Sequence, residues 1–261
     1  MIHARLELFS ESLGMCTSVT VLLPQKTTGQ IGMAGATSDG KPPVLWLLHG
    51  GSDDDTIWLR RTSIERYAAE YGIAVIMPQA ALSFYCDEVH GQKWWTWISE
   101  ELPAILADTF QLSQRREETF VAGLSMGGFG AFKLALNQPG RFAAAASLSG
   151  ALWSLSPELK ERLSERFHHV WGDEGLVEGG PDDLVGLLNT VDKQALPKLW
   201  TTCGTEDFLF EDNLVFEKAA AEAGAPLEIE HRPGEHEWGY WDQAIQDVLA
   251  WLPIEKAAGT H

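Results

Sequence analysis

Basic residues are scarce in this 261-residue chain: 19 Lys and Arg stand against 37 Asp and Glu, a formal net charge of −18. Nucleic-acid binding needs a basic face to displace counterions from phosphates. That class of partner is therefore excluded, and long-range repulsion disfavours polyanionic substrates. Cysteine is equally sparse. Cys16, Cys86 and Cys203 are an odd number at wide spacing, which builds neither a disulfide framework nor a zinc site. A reducing, cytoplasmic setting is the expectation that follows. No run is long and apolar enough to span a bilayer; the longest weakly polar stretch, Phe142 to Leu155, contains three serines. Met1 to Gly14 offers no apolar h-region, so no secretory signal is expected there. Spacings such as H-E-x-x-H are missing, and no metal is expected. No internal repeat, linker or low-complexity segment divides residues 1–261, which implies one domain.

What is present is enough apolar residue for a substantial core, 45% hydrophobic with 21% charged. Strand-like patterns at 4–9 and 17–23 flank a hairpin around Gly14, and the Gly-, Thr- and Ser-rich stretch 27–43 reads as a loop. Continuous apolar runs at 43–48, 73–77, 119–122 and 143–148 have the look of strands buried on both faces. Further strands are expected at 198–203 and 227–231. Helical patterns fall at 56–71, 98–110, 126–138, 182–191 and 213–223, with a last helix ending near Trp251. Residues 80–97 read as an aromatic-rich loop, and 151–180 as an irregular cap excursion. Strands alternating with helices imply an α/β fold: a mostly parallel sheet, covered on both faces, with right-handed crossovers.

One stretch organises the chain. Gly123-Leu124-Ser125-Met126-Gly127 is a G-x-S-x-G sequence between a strand and a helix, the pattern of a nucleophile elbow. The serine of such an elbow sits on a turn so tight that its neighbours must be nearly bare backbone. The helix beginning at Met126 aims its unpaired N–H groups at whatever Ser125 attacks. In open α/β sheets functional residues gather at the carboxyl ends of strands, and two later loops there carry suitable chemistry. They are Gly204-Thr205-Glu206-Asp207 and Gly234-Glu235-His236. The chain order Ser, acid, His is that of the α/β-hydrolase arrangement.

Each role has a physical demand. A serine hydroxyl needs a base to take its proton, and His236 can do so and return the proton to the leaving group. Asp207 would hold the imidazole tautomer and stabilise the imidazolium, with Glu206 as the alternative acid. His231 is the competing histidine, but it falls on a strand. The oxyanion needs preorganised donors: the N–H of Met126 is one, and Gly51, after the 45–48 strand, is the expected second. His49 reads as a structural hydrogen-bonder, His168 and His169 as surface or cap residues, and Asp53 to Asp55 as helix-capping and solvating groups. Gly50, Trp95, Trp153 and Trp238 are the candidate substrate contacts. Flat aromatics suit an acyl or a sugar group, although such residues also serve as core packing.

Four segments carry a family resemblance. They are His49-Gly50-Gly51, Gly123 to Gly130, the turn 138–142 (Gln-Pro-Gly-Arg-Phe) and 234–238 (Gly-Glu-His-Glu-Trp). Together they resemble the esterase D-like branch of the α/β-hydrolases. Residues 93–103 (Lys-Trp-Trp-Thr-Trp-Ile-Ser-Glu-Glu-Leu-Pro) are similar to the bacterial tributyrin esterase group, relatives of carbohydrate esterase family 1. The resemblance covers roughly 15–253. It implies the α/β-hydrolase fold and a cytoplasmic, cofactor-free carboxylesterase for small esters with short acyl chains, often oligomeric, with Ser125, Asp207 and His236 as its triad. Branch members also include S-formylglutathione hydrolases and feruloyl esterases, which stand as alternatives. A non-catalytic binding protein on the same fold is the alternative of another class.

Overall fold

The computed structural model describes residues 1–27, 29, 31, 37 and 40–254. Of the expected loop at 27–43, residues 28, 30, 32–36, 38 and 39 lie outside them. The elements in chain order are β1 (Ile2–Ser10), β2 (Met15–Leu23), β3 (Val44–Leu48), α1 (Ile57–Arg61), α2 (Ile64–Tyr71) and β4 (Ala74–Pro78). Then come α3 (Trp94–Thr96), a π-helical turn (Trp97–Glu101), α4 (Leu102–Thr109), β5 (Thr119–Leu124), α5 (Met126–Asn137) and β6 (Ala144–Leu148). The last third holds α6 (Pro157–Arg162), α7 (Ser164–Trp171), α8 (Leu184–Thr190), β7 (Lys198–Thr202), α9 (Phe210–Ala223), β8 (Leu227–Ile229) and α10 (Trp238–Trp251).

Among the described residues eight strands form one sheet in the order β1-β2-β4-β3-β5-β6-β7-β8. The β1–β2 hairpin turns at Gly14, whose φ of 65° suits glycine. β1–β2 and β2–β4 are antiparallel, and every later pair is parallel. The central strands β3 to β6 are buried along their whole length, as apolar runs in a doubly covered parallel sheet must be. Alternate residues serve opposite faces. Val44, Trp46 and Leu48 join the core beneath α4, α5, α8 and α9, whereas Leu45 and Leu47 join the core beneath α1, α2 and α10. Burying the two faces is the main stabilising term.

Three expectations are corrected. The helix read over 56–71 breaks at Thr62 and Ser63, where the Thr62 hydroxyl bonds the Trp58 carbonyl and its N–H takes the same acceptor. The helix read over 98–110 begins earlier, at Trp94. The cap excursion at 151–180 is not irregular but carries α6 and α7. The Ser156 hydroxyl caps Leu159 N–H, Pro157 takes the first helical position, and Phe167, Val170 and Trp171 provide one buried stripe. Among the described residues no helix is long and apolar enough to cross a membrane.

Candidate active site

The elbow forms because of its glycines. A Cβ at Gly123 would overlap the Gly127 carbonyl, and one at Gly127 would lie 2.5 Å from the Leu48 carbonyl oxygen. The strand can therefore turn directly into α5 only with hydrogen at both positions. Ser125 adopts φ 54° and ψ −119°, a region that costs a non-glycine residue roughly 1–3 kcal/mol. Backbone bonds hold it there: its N–H donates to Leu148 O at 2.9 Å, and its carbonyl accepts from Phe129 N and Ala151 N.

The loops after β7 and β8 bring the partners in. His236 Nε2 lies 3.0 Å from Ser125 Oγ, and its Nδ1 lies 2.8 and 3.0 Å from the two oxygens of Asp207. This network assigns the proton to Nδ1, leaving Nε2 to accept from the serine hydroxyl. Asp207 is buried, and its Oδ1 also accepts Leu209 N–H at 2.9 Å. Its carboxylate is thus acceptor-only on both oxygens. The imidazole ring is boxed between Phe208, 4.6 Å away, and Trp241, 4.8 Å away and edge-on. Trp241 is anchored through Nε1 to Ser149 Oγ.

The competing residues are used elsewhere. Glu206 is exposed and turns away from the imidazole, accepting Gly234 N–H and holding the histidine loop to the acid loop. That bond pulls its carboxyl below the ordinary glutamate range. His231 faces Glu217 at 2.9 Å and accepts Cys203 N–H through Nδ1. His49 is buried: its Nδ1 lies 2.7 Å from Gly50 O, and its Nε2 accepts Ala80 N–H at 3.0 Å. Burial pushes its pKa down, so it stays neutral and fixes the Gly50 peptide. The three aspartates beyond it have separate surroundings. Asp53 is bonded back to Gly50 O through its N–H. Asp54 caps Thr56 and pairs with Arg60, and Asp55 is buried among Arg5, Ser18 and Thr20.

A cavity of about 220 Å³ opens beside the serine, lined by Gly51, Ser125, Met126 and mainly apolar side chains, with Arg162 and Arg166 at its α6–α7 wall. Gly51 and Met126 therefore border the same cavity as Ser125. Met126 begins α5, so its amide has no carbonyl a turn earlier within that helix. Gly50 packs behind, against Leu124 and Ser125. The three tryptophans expected at the substrate lie outside this lining. Trp95 packs under the Lys133 ammonium at 4.5 Å, Trp238 stands edge-on to Trp58 and Trp241, and Trp153 precedes α6, its carbonyl bonded to Ser156 N–H. The apolar wall instead comes from Leu82, Phe84, Leu159, Leu163, Phe208 and Leu209. Sequence reading missed these because single apolar residues in loops and short helices carry no signal of which surface they face. Phe208, next to Asp207 and more than a third exposed, is the one an exposed-aromatic criterion would have found.

The family model described as "Putative esterase" matches residues 10–252. The chain belongs to this esterase family. It is 26% identical over 258 residues to an acetyl esterase of Caldicellulosiruptor saccharolyticus, covering 95% of this chain and 97% of that one. Two solved structures from Staphylococcus aureus are also similar. The fluorophosphonate-binding serine hydrolase FphF is 34% identical with a TM-score of 0.85, over 96% of this chain and 98% of that one. The S-formylglutathione hydrolase FrmB is 33% identical with a TM-score of 0.81, at the same coverage. The sheet order and these neighbours make this an α/β-hydrolase fold.

Proposed function

We propose that this esterase is a serine carboxylesterase cleaving short-chain esters through an acyl-Ser125 intermediate. The observation that carries the reading is the continuous relay from Asp207 through His236 to Ser125 Oγ, opening on a small apolar cavity. In the acylation step His236 Nε2 takes the serine proton as Oγ attacks the carbonyl carbon. Asp207 stabilises the imidazolium, and the amides of Met126 and Gly51 receive the oxyanion. The imidazolium then protonates the departing alcohol. In the second half water attacks the acyl-enzyme with His236 again as base, releasing the carboxylic acid. No step calls for a metal or cofactor.

The cavity volume favours acyl groups of two to four carbons, and its lining by Leu82, Leu159 and Leu163 suits an alkyl chain. Initial rates on p-nitrophenyl acetate through decanoate, together with acetylated xylo-oligosaccharides and methyl ferulate, test this. A sharp optimum at two to four carbons is expected, and failure on every ester by folded protein would refute the reading. A thioesterase of the S-formylglutathione type is a second reading. Its support is the similarity to FrmB together with Arg162 on the cavity wall, a cation able to meet a glutathione carboxylate. A marked preference for S-formylglutathione, assayed beside that panel, would select it.

A further inference from the structure

At the other end of the sheet, where β3 and β5 begin, lies a second cavity of about 340 Å³. It is separated from Ser125 by the length of β5, roughly 17 Å at the usual rise per strand residue. Its wall includes Val44, Trp46, Leu106 and Leu112, and its charged groups among the described residues are Arg116 and Arg141. A cavity lined, among the described residues, by two cations and no carboxylate is unexpected in a chain with about twice as many acids as bases.

Arg141 is the sharper case. Its Nη1 donates to the Ser99 carbonyl, in the π-helical turn, and to Gln138 Oε1, both at 3.0 Å. Its guanidinium lies over the rings of Trp46 and Phe142 at 5.0 and 4.9 Å. Among the described residues it has no ion-pair partner, and its Nε and Nη2 edge has no acceptor. Burial without an opposing charge takes its pKa down to about 10. Arg116 likewise spends its donors on the carbonyls of Pro139, Ala195 and Leu196 rather than on an acid. A desolvated cation without a counter-charge is costly, and the Nε–Nη2 edge is the face of a guanidinium that takes a carboxylate in a bidentate fork.

We propose that this cavity is a binding site for a monocarboxylate with an apolar body about the size of an aromatic ring. The carboxylate sits on the Arg141 fork with Arg116 adding charge, and the body rests against Trp46, Leu106 and Leu112. The volume exceeds what an inorganic ion would fill, and the apolar wall would be wasted on one.

Calorimetric titration with benzoate tests the site, with isosteric uncharged benzamide and body-less acetate as comparisons. Saturable benzoate binding is expected, with acetate and benzamide each at least about tenfold weaker. Arg141→Lys keeps the charge and removes the fork, and should weaken benzoate at least about tenfold. Ala104→Phe, from an exposed position on the cavity wall, should fill the space and abolish binding while leaving the melting temperature unchanged, so it serves even if Arg141→Lys folds poorly. Any carboxylate held at Ser125 would persist in both variants. Equal binding of benzoate and benzamide, no saturation, or wild-type affinity in Ala104→Phe would overturn the proposal. The ester-cleavage reading is untouched by any of these results.

Discussion

Replacing Asp207 by asparagine removes one charge and keeps the shape, so the effect depends on which groups surround the carboxylate. Both Asp207 oxygens face donors: His236 Nδ1–H on Oδ2 and Oδ1, and Leu209 N–H on Oδ1. A carboxamide has one acceptor and one donor. With its oxygen on Leu209 N–H, its NH₂ faces Nδ1, which forces the imidazole proton to Nε2 and leaves nothing to accept the Ser125 proton. With its oxygen on His236, its NH₂ faces Leu209 N–H, a buried donor-to-donor contact costing about 1–3 kcal/mol, and the imidazolium is still unneutralised. Loss of tautomer control and of that charge together cost about 10⁴ in kcat in the template case, or roughly 5 kcal/mol at 1.36 per decade. We expect kcat for p-nitrophenyl butyrate to fall about 10³–10⁴-fold in Asp207→Asn, with the protein still folded by circular dichroism. Glu206→Gln, whose carboxylate meets only the loop backbone and Thr205, should change kcat less than about tenfold. A larger loss in Glu206→Gln than in Asp207→Asn would refute the assignment of the acid.

Other expectations rest on single contacts. Ser125→Ala and Ser125→Gly should both abolish ester cleavage, but urea melts should find the glycine variant more stable by about 1 kcal/mol or more, because only it relieves the φ of 54°. Gly127→Ala should destabilise by about 1–3 kcal/mol or prevent folding, since its methyl would press on the Leu48 carbonyl. Asp55 is buried; against the cost of that burial, hydrogen bonds from Arg5, Ser18 and Thr20 hold its carboxyl below the ordinary aspartate range. A depressed folded pKa gives stability that is present above the unfolded value of about 3.9 and lost as pH falls below it. Asp55→Asn should therefore cost about 1–3 kcal/mol at neutral pH, and the gap to wild type in thermal melts should close on acidification.

Ser125 was legible because it directly follows an apolar strand run, and Asp207 and His236 because they lie in the loops after β7 and β8, strand ends being the most readable positions in a parallel α/β sheet. Glycines at 123 and 127 made the elbow readable for a steric reason that acts within five residues. The cavity wall was not legible. Its residues come from six separated segments, at 51, 82–84, 125–126, 151, 159–166 and 208–209, and their convergence depends on long-range packing. Tryptophan at 95, 153 and 238 drew attention by size, yet Trp95 and Trp238 pack against other side chains outside the cavity. The helices at 157–171 were obscured by Gly172, Gly175 and Gly179–Gly180 just beyond, which lower the helical pattern of the surrounding window.

The same division between local and distant causes explains where the chain stores strain. Six non-glycine residues among those described have positive φ: Ser52, Ala81, Phe84, Tyr85, Ser125 and Ser149. Every one lies beyond the carboxyl end of β3, β4, β5 or β6, on the side of the sheet that carries the serine. At about 1–3 kcal/mol each, their combined cost rivals the net stability of an ordinary domain, so the surrounding packing must hold them. Bonds between neighbouring loops and strands do so. Ser125 N–H goes to Leu148 O, Ser149 N–H to Thr202 O at 2.7 Å, and Tyr85 Oη to His49 O at 2.9 Å. These three strained residues thus take their restraint from a neighbouring strand or the loop beyond it, and the loop after β3, the elbow and the loops after β4 and β6 form one cross-braced layer. A pocket built this way cannot relax around an ill-fitting substrate without breaking several restraints at once. For the ester cleavage proposed above, a sharp acyl-length optimum rather than a gradual decline is the expected outcome in the p-nitrophenyl ester series.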